Sequence, residues 1–170
     1  MPKIVILRGN SGSGKSTVAK AVQRKLGRGT LVISQDWVRR EMLWVKDEPD
    51  NQAVDLLKNL VIYGSQNCKV TILEGILYAD IYESLFNQIE KIFAGHIFAY
   101  YFDVPFYETL ARHNQRPQLY DFGEPDMRRW WREKDFLSNI HEKKIYKEMN
   151  IDETVELIYQ DIINLSRNLM

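Results

Sequence analysis

Apolar runs alternate along this chain with segments whose apolar residues recur at helical spacing. The pattern predicts strands at 3–8, 30–34, 69–74, 96–103 and 143–148, the first of them (KIVILR) rich enough in Ile, Val and Leu to be buried on both faces. Helical spacing predicts helices at about 15–26, 35–44, 51–66, 80–93, 105–116, 124–136 and 152–167. Strands and helices taking turns in this way describe an α/β fold, a parallel sheet with crossover helices. Gly27 and Gly29 stop the first helix, Asp50 and Asp152 are start signals, and Pro105 stands in the first turn of the helix after Asp103. The stretch 116–125 (RPQLYDFGEP) holds two prolines and a glycine between helices, and reads as a surface loop rather than a domain boundary. There is no internal repeat and no low-complexity tract.

The junction of the first strand and first helix adds chemistry to that pattern. Gly9-Asn10-Ser11-Gly12-Ser13-Gly14-Lys15-Ser16 matches G-x-x-x-x-G-K-[ST] in full, and Thr17 continues into the helix. Gly9, Gly12 and Gly14 allow backbone conformations closed to other residues, so successive N–H groups point at phosphate oxygens, and the helix adds its positive N-terminal end. Lys15 is placed for the terminal phosphates and the Ser16 hydroxyl for Mg²⁺. Residues 9–17 are therefore expected to bind ATP with magnesium, a chance Gly-rich turn being the alternative.

Ligand groups in an open parallel sheet gather at the carboxyl ends of its strands. The second strand leads into Gln35-Asp36-Trp37-Val38-Arg39-Arg40, which sets Asp36 near a helix start with Arg39 a turn later. Asp36 suits a base that takes the proton of an attacking hydroxyl while Arg39 holds the acceptor; the alternative is a helix cap. The third strand ends in Glu74-Gly75, a carboxylate within reach of the metal directly or through water, unless it is only a surface glutamate. Beyond the fourth strand, Arg112 and Arg116 flank the Pro- and Gly-containing loop, as a lid over a triphosphate would require, and the lid is expected over about 112–132. Arg128, Arg129 and Arg132 read instead as a solvated face balanced by Glu124, Asp126, Glu133 and Asp135. Trp130 and Trp131 read as hinge packing rather than substrate contact, and Trp37 and Tyr78 as the aromatics to watch near the acceptor. His96, His113 and His141 are too scattered for a zinc site.

Bulk properties narrow the class further. The 170 residues suit one domain spanning 1–170. Lys plus Arg and Asp plus Glu are equal at 23 each, so no overall field recruits nucleic acid or an anionic membrane. The single cysteine, Cys68, excludes an internal disulfide, and neither a signal-like segment nor a membrane-length apolar run is present, so a cytoplasmic location is expected.

The succession GNSGSGKST, SQDWVRR, ILEG, YFDVP and an arginine-bearing loop resembles the small P-loop kinases that phosphorylate hydroxyl groups, over nearly the whole chain. SQDWVRR is similar to the matching segments of polynucleotide kinase and uridine kinase, and ILEGIL to that of uridine kinase. The extra hairpin that uridine kinases carry after the second strand is missing here. The resemblance implies a three-layer fold with a five-stranded parallel sheet in order 2-3-1-4-5. It also implies Asp36 as base, Arg39 as an acceptor-side contact, Glu74 as the carboxylate near the metal, and Arg112 and Arg116 as lid arginines. The expected reaction is phosphoryl transfer from Mg·ATP to a hydroxyl of a small molecule such as a nucleoside, sugar or antibiotic. A nucleoside monophosphate kinase is the competing reading, but GILYAD after the third strand lacks the arginine that would hold an acceptor phosphate. A nucleotide-dependent switch would have no use for Asp36 and Arg39. No basic stripe with interleaved aromatics argues for nucleic acid, although 5′-hydroxyl ends remain open. GTP in place of ATP and the oligomeric state also stay open.

Overall fold

A computed structural model describes residues 1–168, without the side chains of residues 118, 119 and 165–168. The domain expected over 1–170 thus runs past the described residues, and two side chains of the expected lid lie outside them. Five strands form one sheet: β1 (Lys3–Arg8), β2 (Leu31–Ser34), β3 (Val70–Gly75), β4 (Ile97–Asp103) and β5 (Glu142–Tyr146). All pairings are parallel and the order is β2-β3-β1-β4-β5, as the resemblance implied.

The β1 alternation explains how the sheet is covered. Ile4, Val5, Ile6 and Leu7 have no exposed surface. Ile4 and Ile6 face a cluster with Leu57 and Val61 of α3 (Ala53–Asn67) and Leu85 and Ile89 of α4 (Glu83–Ile92). Val5 and Leu7 face another with Val18 and Val22 of α1 (Lys15–Leu26) and Ile158 and Ile162 of α7 (Ile151–Asn168). Burial of each such side chain contributes roughly 1.5–3 kcal/mol, which accounts for an unbroken apolar strand at the centre of the sheet.

Register brings the carboxyl ends of three strands together. Leu7 and Ser34 both pair with Glu74, and Arg8 pairs with Gly75. The first phosphate-loop residue, the Glu74 carboxylate and the start of the segment carrying Asp36 therefore share one end of the sheet.

Several helix boundaries differ from expectation, each for a local reason. The helix predicted over 35–44 is a short α-helix, α2 (Gln35–Trp37), that widens into a π-helical turn at Val38–Met42, closed by Leu43 N–H donating to the Val38 carbonyl at 3.1 Å. α5 (Phe106–His113) stops short of 116, and Pro117–Tyr120 forms a 3₁₀ turn. α6 (Glu124–Trp130) ends well before 136 because the next segment is held by other parts of the chain. The Asn10 side-chain amide donates to the Arg132 carbonyl at 2.8 Å and its oxygen accepts from the Arg132 N–H at 3.0 Å. Those backbone groups are then no longer free to continue a helix.

Candidate active site

The phosphate loop follows β1 so closely that its glycines touch other backbone. A Cβ at Gly9 (φ +143°) would come within 2.9 Å of the Phe102 carbonyl oxygen, and one at Gly12 (φ +76°) within 2.6 Å of that of Thr109. Both positions combine a positive φ with no room for a side chain, so they hold glycine for two separate reasons. Lys15 is buried, its ammonium donating to the Asn10 carbonyl at 2.7 Å and to Ser13 Oγ at 3.2 Å. Burial pulls its pKa from 10.5 down to about 8, with Glu74 opposing and Arg116 adding to the fall.

Ser16 Oγ donates to Glu74 Oε2 at 3.0 Å, and Glu74 is only 4% exposed. A hydroxyl and a carboxylate side by side are hard oxygen donors of the kind Mg²⁺ takes. No group of three or more His, Cys, Asp or Glu able to hold a metal occurs among the described residues. A cation here would draw its other ligands from water and phosphate oxygens, which is how Mg²⁺ is usually held at nucleotides. The residues fit the ion that the loop motif implies.

Asp36 lies on the same cleft. Ser34 is the N-cap of α2, accepting loosely from the Trp37 N–H at 3.5 Å, so Asp36 is not the cap. Its carboxylate is exposed and ion-paired with two arginines, Arg39 at 3.0 Å and Arg40 at 2.8 Å. Arg39 also donates to the Val45 carbonyl at 3.1 Å, anchoring the end of the π turn. Behind Asp36, buried Gln35 donates to the Tyr82 hydroxyl at 2.8 Å, and Tyr82 in turn to Asp47 at 2.6 Å. A Cβ on Gly75 would meet the Gln35 Cβ at 2.7 Å, so glycine there lets α2 settle against the end of β3.

A cleft of about 1090 Å³ joins these groups, with Lys15, Ser16, Asp36, Arg39, Glu74 and Arg116 in its walls. The two lid arginines part company. Arg116 lines the cleft, and burial together with the Arg112 charge lowers its pKa. Arg112 instead donates to the Ser13 carbonyl at 3.0 Å and to Glu108 at 3.1 Å, bracing the loop from outside. Trp131 packs edge-on against Phe106, whereas Trp130 lines the cleft. Tyr78 also lines it, donating to the Trp130 carbonyl at 2.7 Å, with burial and then Asp47 pushing its phenol up to about 12. Trp37 is 62% exposed and is not in the cleft wall. Arg128 and Arg129 pair with Glu124 and Asp126 as expected of a solvated face, although Arg129 also reaches the cleft. Arg132 pairs with Asp80 and covers the Tyr78 ring.

Sequence reasoning missed Arg8. Its side chain is fully buried at the end of β1, donating to both oxygens of Glu142 at 2.9 and 3.1 Å, to Asp135 at 3.0 Å and to the Leu77 carbonyl at 3.0 Å. It ties the residue before the phosphate loop to β5 and to the segment behind the lid. The signal was a charged residue closing an otherwise apolar central strand. His113 was also undervalued: it is buried, stacks on Phe122 and bonds its carbonyl at 2.8 Å, closing the loop between them on itself.

An all-parallel β2-β3-β1-β4-β5 sheet with this loop after β1 is the fold of the small P-loop kinases. A family model described as an AAA domain matches residues 4–130, well over half of the chain, and the chain belongs to that family. Among solved structures it is similar to a gluconokinase from Sinorhizobium meliloti 1021 (15% identity, TM-score 0.68, covering 99% of this chain and 95% of that one). It is also similar to the Mycobacterium tuberculosis APS kinase solved with AMPPNP and APS (21%, 0.67, 96% and 98%). A third similar structure is the tunicamycin resistance protein of Deinococcus radiodurans (14%, 0.63, 95% and 96%). No curated protein matches the sequence. No helix among the described residues is long and apolar enough to cross a membrane.

Proposed function

We propose that this protein is an ATP-dependent kinase that transfers the γ-phosphoryl group of Mg·ATP to a hydroxyl of a small molecule. The observation that carries the reading is the position of Asp36: a carboxylate free of any capping duty, paired with arginine, in the wall of the cleft that holds Lys15 and Ser16. The acceptor oxygen forms a bond to the γ-phosphorus as the bond to the β-phosphate oxygen breaks, ADP leaving with that electron pair. The hydroxyl proton passes to Asp36. Lys15 and Arg116 face the charge that builds on the transferring group, and Arg39 holds Asp36 in place. Ser16 and Glu74 would hold Mg²⁺, which neutralises phosphate charge when bound. The kinases among the similar structures support a phosphotransferase, and the AMPPNP complex of one of them supports ATP as donor.

Asp36→Asn tests this. Asparagine keeps the size of the side chain, and loss of exposed ion pairs costs at most about 1 kcal/mol. The variant is expected to bind ATP normally, to unfold near the parent temperature and to lose at least about 100-fold in kcat with a hydroxyl acceptor. Near-parent turnover of a hydroxyl acceptor removes Asp36 as base. A nucleoside monophosphate turned over at parent rate by the variant moves the assignment to a nucleoside monophosphate kinase, because an ionised phosphate has no proton to lose.

A further inference from the structure

The cleft is far more basic than the chain. Lys plus Arg equals Asp plus Glu over the whole sequence, yet among the described residues eight lysines and arginines line the cleft against four carboxylates, only Arg129 of the eight being paired with a carboxylate outside it. Two of those carboxylates are committed elsewhere: Glu74 accepts from Ser16, and Asp47 accepts from Tyr82 and from Gln35 at 3.3 Å. Lys15 and Arg116 match the charge of a magnesium-bound triphosphate. The surplus falls in part around Asp36. Arg40 Nε lies 2.8 Å from Asp36 Oδ1 but is not aligned to donate to it, and remains a buried donor without a hydrogen bond; Arg39 Nε is another. Lys46, beside Asp47, lines the cleft with no ion-pair or hydrogen-bond partner among the described residues. A neutral sugar or nucleoside can accept hydrogen bonds from these groups but leaves their charge uncompensated. An anionic group satisfies them.

The lid limits what can enter there. The Arg40 guanidinium lies 5.3 Å from the Phe122 ring centroid and 5.4 Å from that of Trp130, while Tyr78 donates to the Trp130 carbonyl. The roof thus touches the walls on either side. Resting on the kinase reading above, we infer that the hydroxyl acceptor is a small molecule bearing its own phosphate, sulfate or carboxylate, which Arg40 and Lys46 hold while Asp36 takes the hydroxyl proton.

Inorganic sulfate is the probe, titrated by calorimetry into protein already saturated with Mg·AMPPNP so that the phosphate loop is filled. The preceding AMPPNP titration stands apart: no nucleotide binding there would sink the kinase reading, and the Lys46 dependence of sulfate binding would still be measurable. Saturable sulfate binding is expected in the parent, weakened about tenfold in Lys46→Met and further in Arg40→Gln. Lys46 is exposed, so its variant folds and keeps the test decisive if Arg40→Gln does not. No saturable binding to the loaded protein, or equal binding by parent and Lys46→Met, overturns the inference. A second arm compares matched acceptors, gluconate with glucose and adenosine 3′-monophosphate with adenosine, and reads the product by phosphorus NMR. Preference for the charged member, with a new phosphomonoester signal, agrees with the inference. Equal use of the neutral member, activity on a 5′-hydroxyl oligonucleotide alone, or a pyrophosphate product from the monophosphate overturns it.

Discussion

The two ends of the cleft are built in opposite ways. The donor end comes from one unbroken stretch, residues 9–17, whose shape is set by backbone packed on backbone, as at Gly9 against Phe102 and Gly12 against Thr109. The proposed acceptor end is assembled from side chains that lie far apart in the chain: Asp36 and Arg40 on α2 and its π turn, Lys46 and Asp47 after it, Tyr78 beyond β3, and Phe122 and Trp130. Backbone geometry of the first kind tolerates almost no change of residue, so it survives as a readable motif. Side chains of the second kind can be exchanged one at a time, and each exchange alters which acceptor fits. On the proposed reading, donor chemistry is fixed by local structure, and specificity rests on tertiary assembly.

The comparison is broken most severely at Lys15. Lys15→Ala removes the charge that the loop holds against the Asn10 carbonyl and the Ser13 hydroxyl, and is expected to abolish detectable nucleotide binding while the fold remains. Equal affinity in parent and variant, measured by calorimetry, would mean that backbone N–H groups alone make the donor end.

Arg8 marks where the two ends are joined. It is buried between Glu142 and Asp135, with Asn10 clamping the neighbouring Arg132 backbone. Arg8→Met leaves a buried carboxylate without its partner, and unfolding in urea is expected to show a loss of roughly 3–5 kcal/mol. The double variant Arg8→Met/Glu142→Met should recover part of that loss, because the remaining penalty belongs to the unpaired charge. A loss under about 1 kcal/mol would place the ion pair among surface pairs in its worth.

How much of this was legible follows from the same division. The strand alternation and the phosphate loop were readable, because an apolar central strand such as Ile4–Leu7 and a glycine-lysine loop are local patterns, whereas the strand order came from the family resemblance. Asp36 and Glu74 could be placed because strand ends in a parallel sheet face one way. The end of α6 could not: residues 131–136 carry helical spacing, and what stops the helix is a hydrogen-bonding pair with Asn10, distant in sequence. The π turn at Val38–Met42 was hidden likewise, although the pairs of Asp36 with Arg39 and Arg40 have ordinary helical spacing. The separation of Arg112 from Arg116 needed the fold too, since spacing along a helix says nothing of which carbonyl lies opposite.

That separation gives a sharper test. Arg116 stands in the cleft wall and Arg112 on the Ser13 carbonyl outside it. Arg116→Ala is expected to lower kcat by about 100-fold with little change in the KM for ATP, as for a group that acts on developing charge. Arg112→Ala should chiefly raise that KM, by disturbing the loop. The reverse assignment in steady-state kinetics would exchange their roles.

The smallest effect concerns pH and again sets the donor end against the acceptor end. Burial, the largest cause, brings Lys15 down to about 8 in the free protein, and a bound triphosphate restores its positive charge. Above pH 8 binding must therefore take up a proton, and affinity for Mg·ATP is expected to fall about fivefold between pH 8 and 9. The sign for stability is opposite. With the folded pKa below the ordinary 10.5, the unfolded chain holds more protons between about 8 and 10.5, so Lys15's contribution to the stability of the nucleotide-free protein improves as pH rises through that window. Arginine stays charged throughout, so binding of the acceptor to Arg40 should not follow this profile. Calorimetry in two buffers of different ionisation heat would detect the proton uptake directly. Affinity that stays flat from pH 7 to 9, with no uptake, would mean that the Lys15 ammonium is fully charged before nucleotide arrives, and that the donor end is already polarised rather than completed by its ligand.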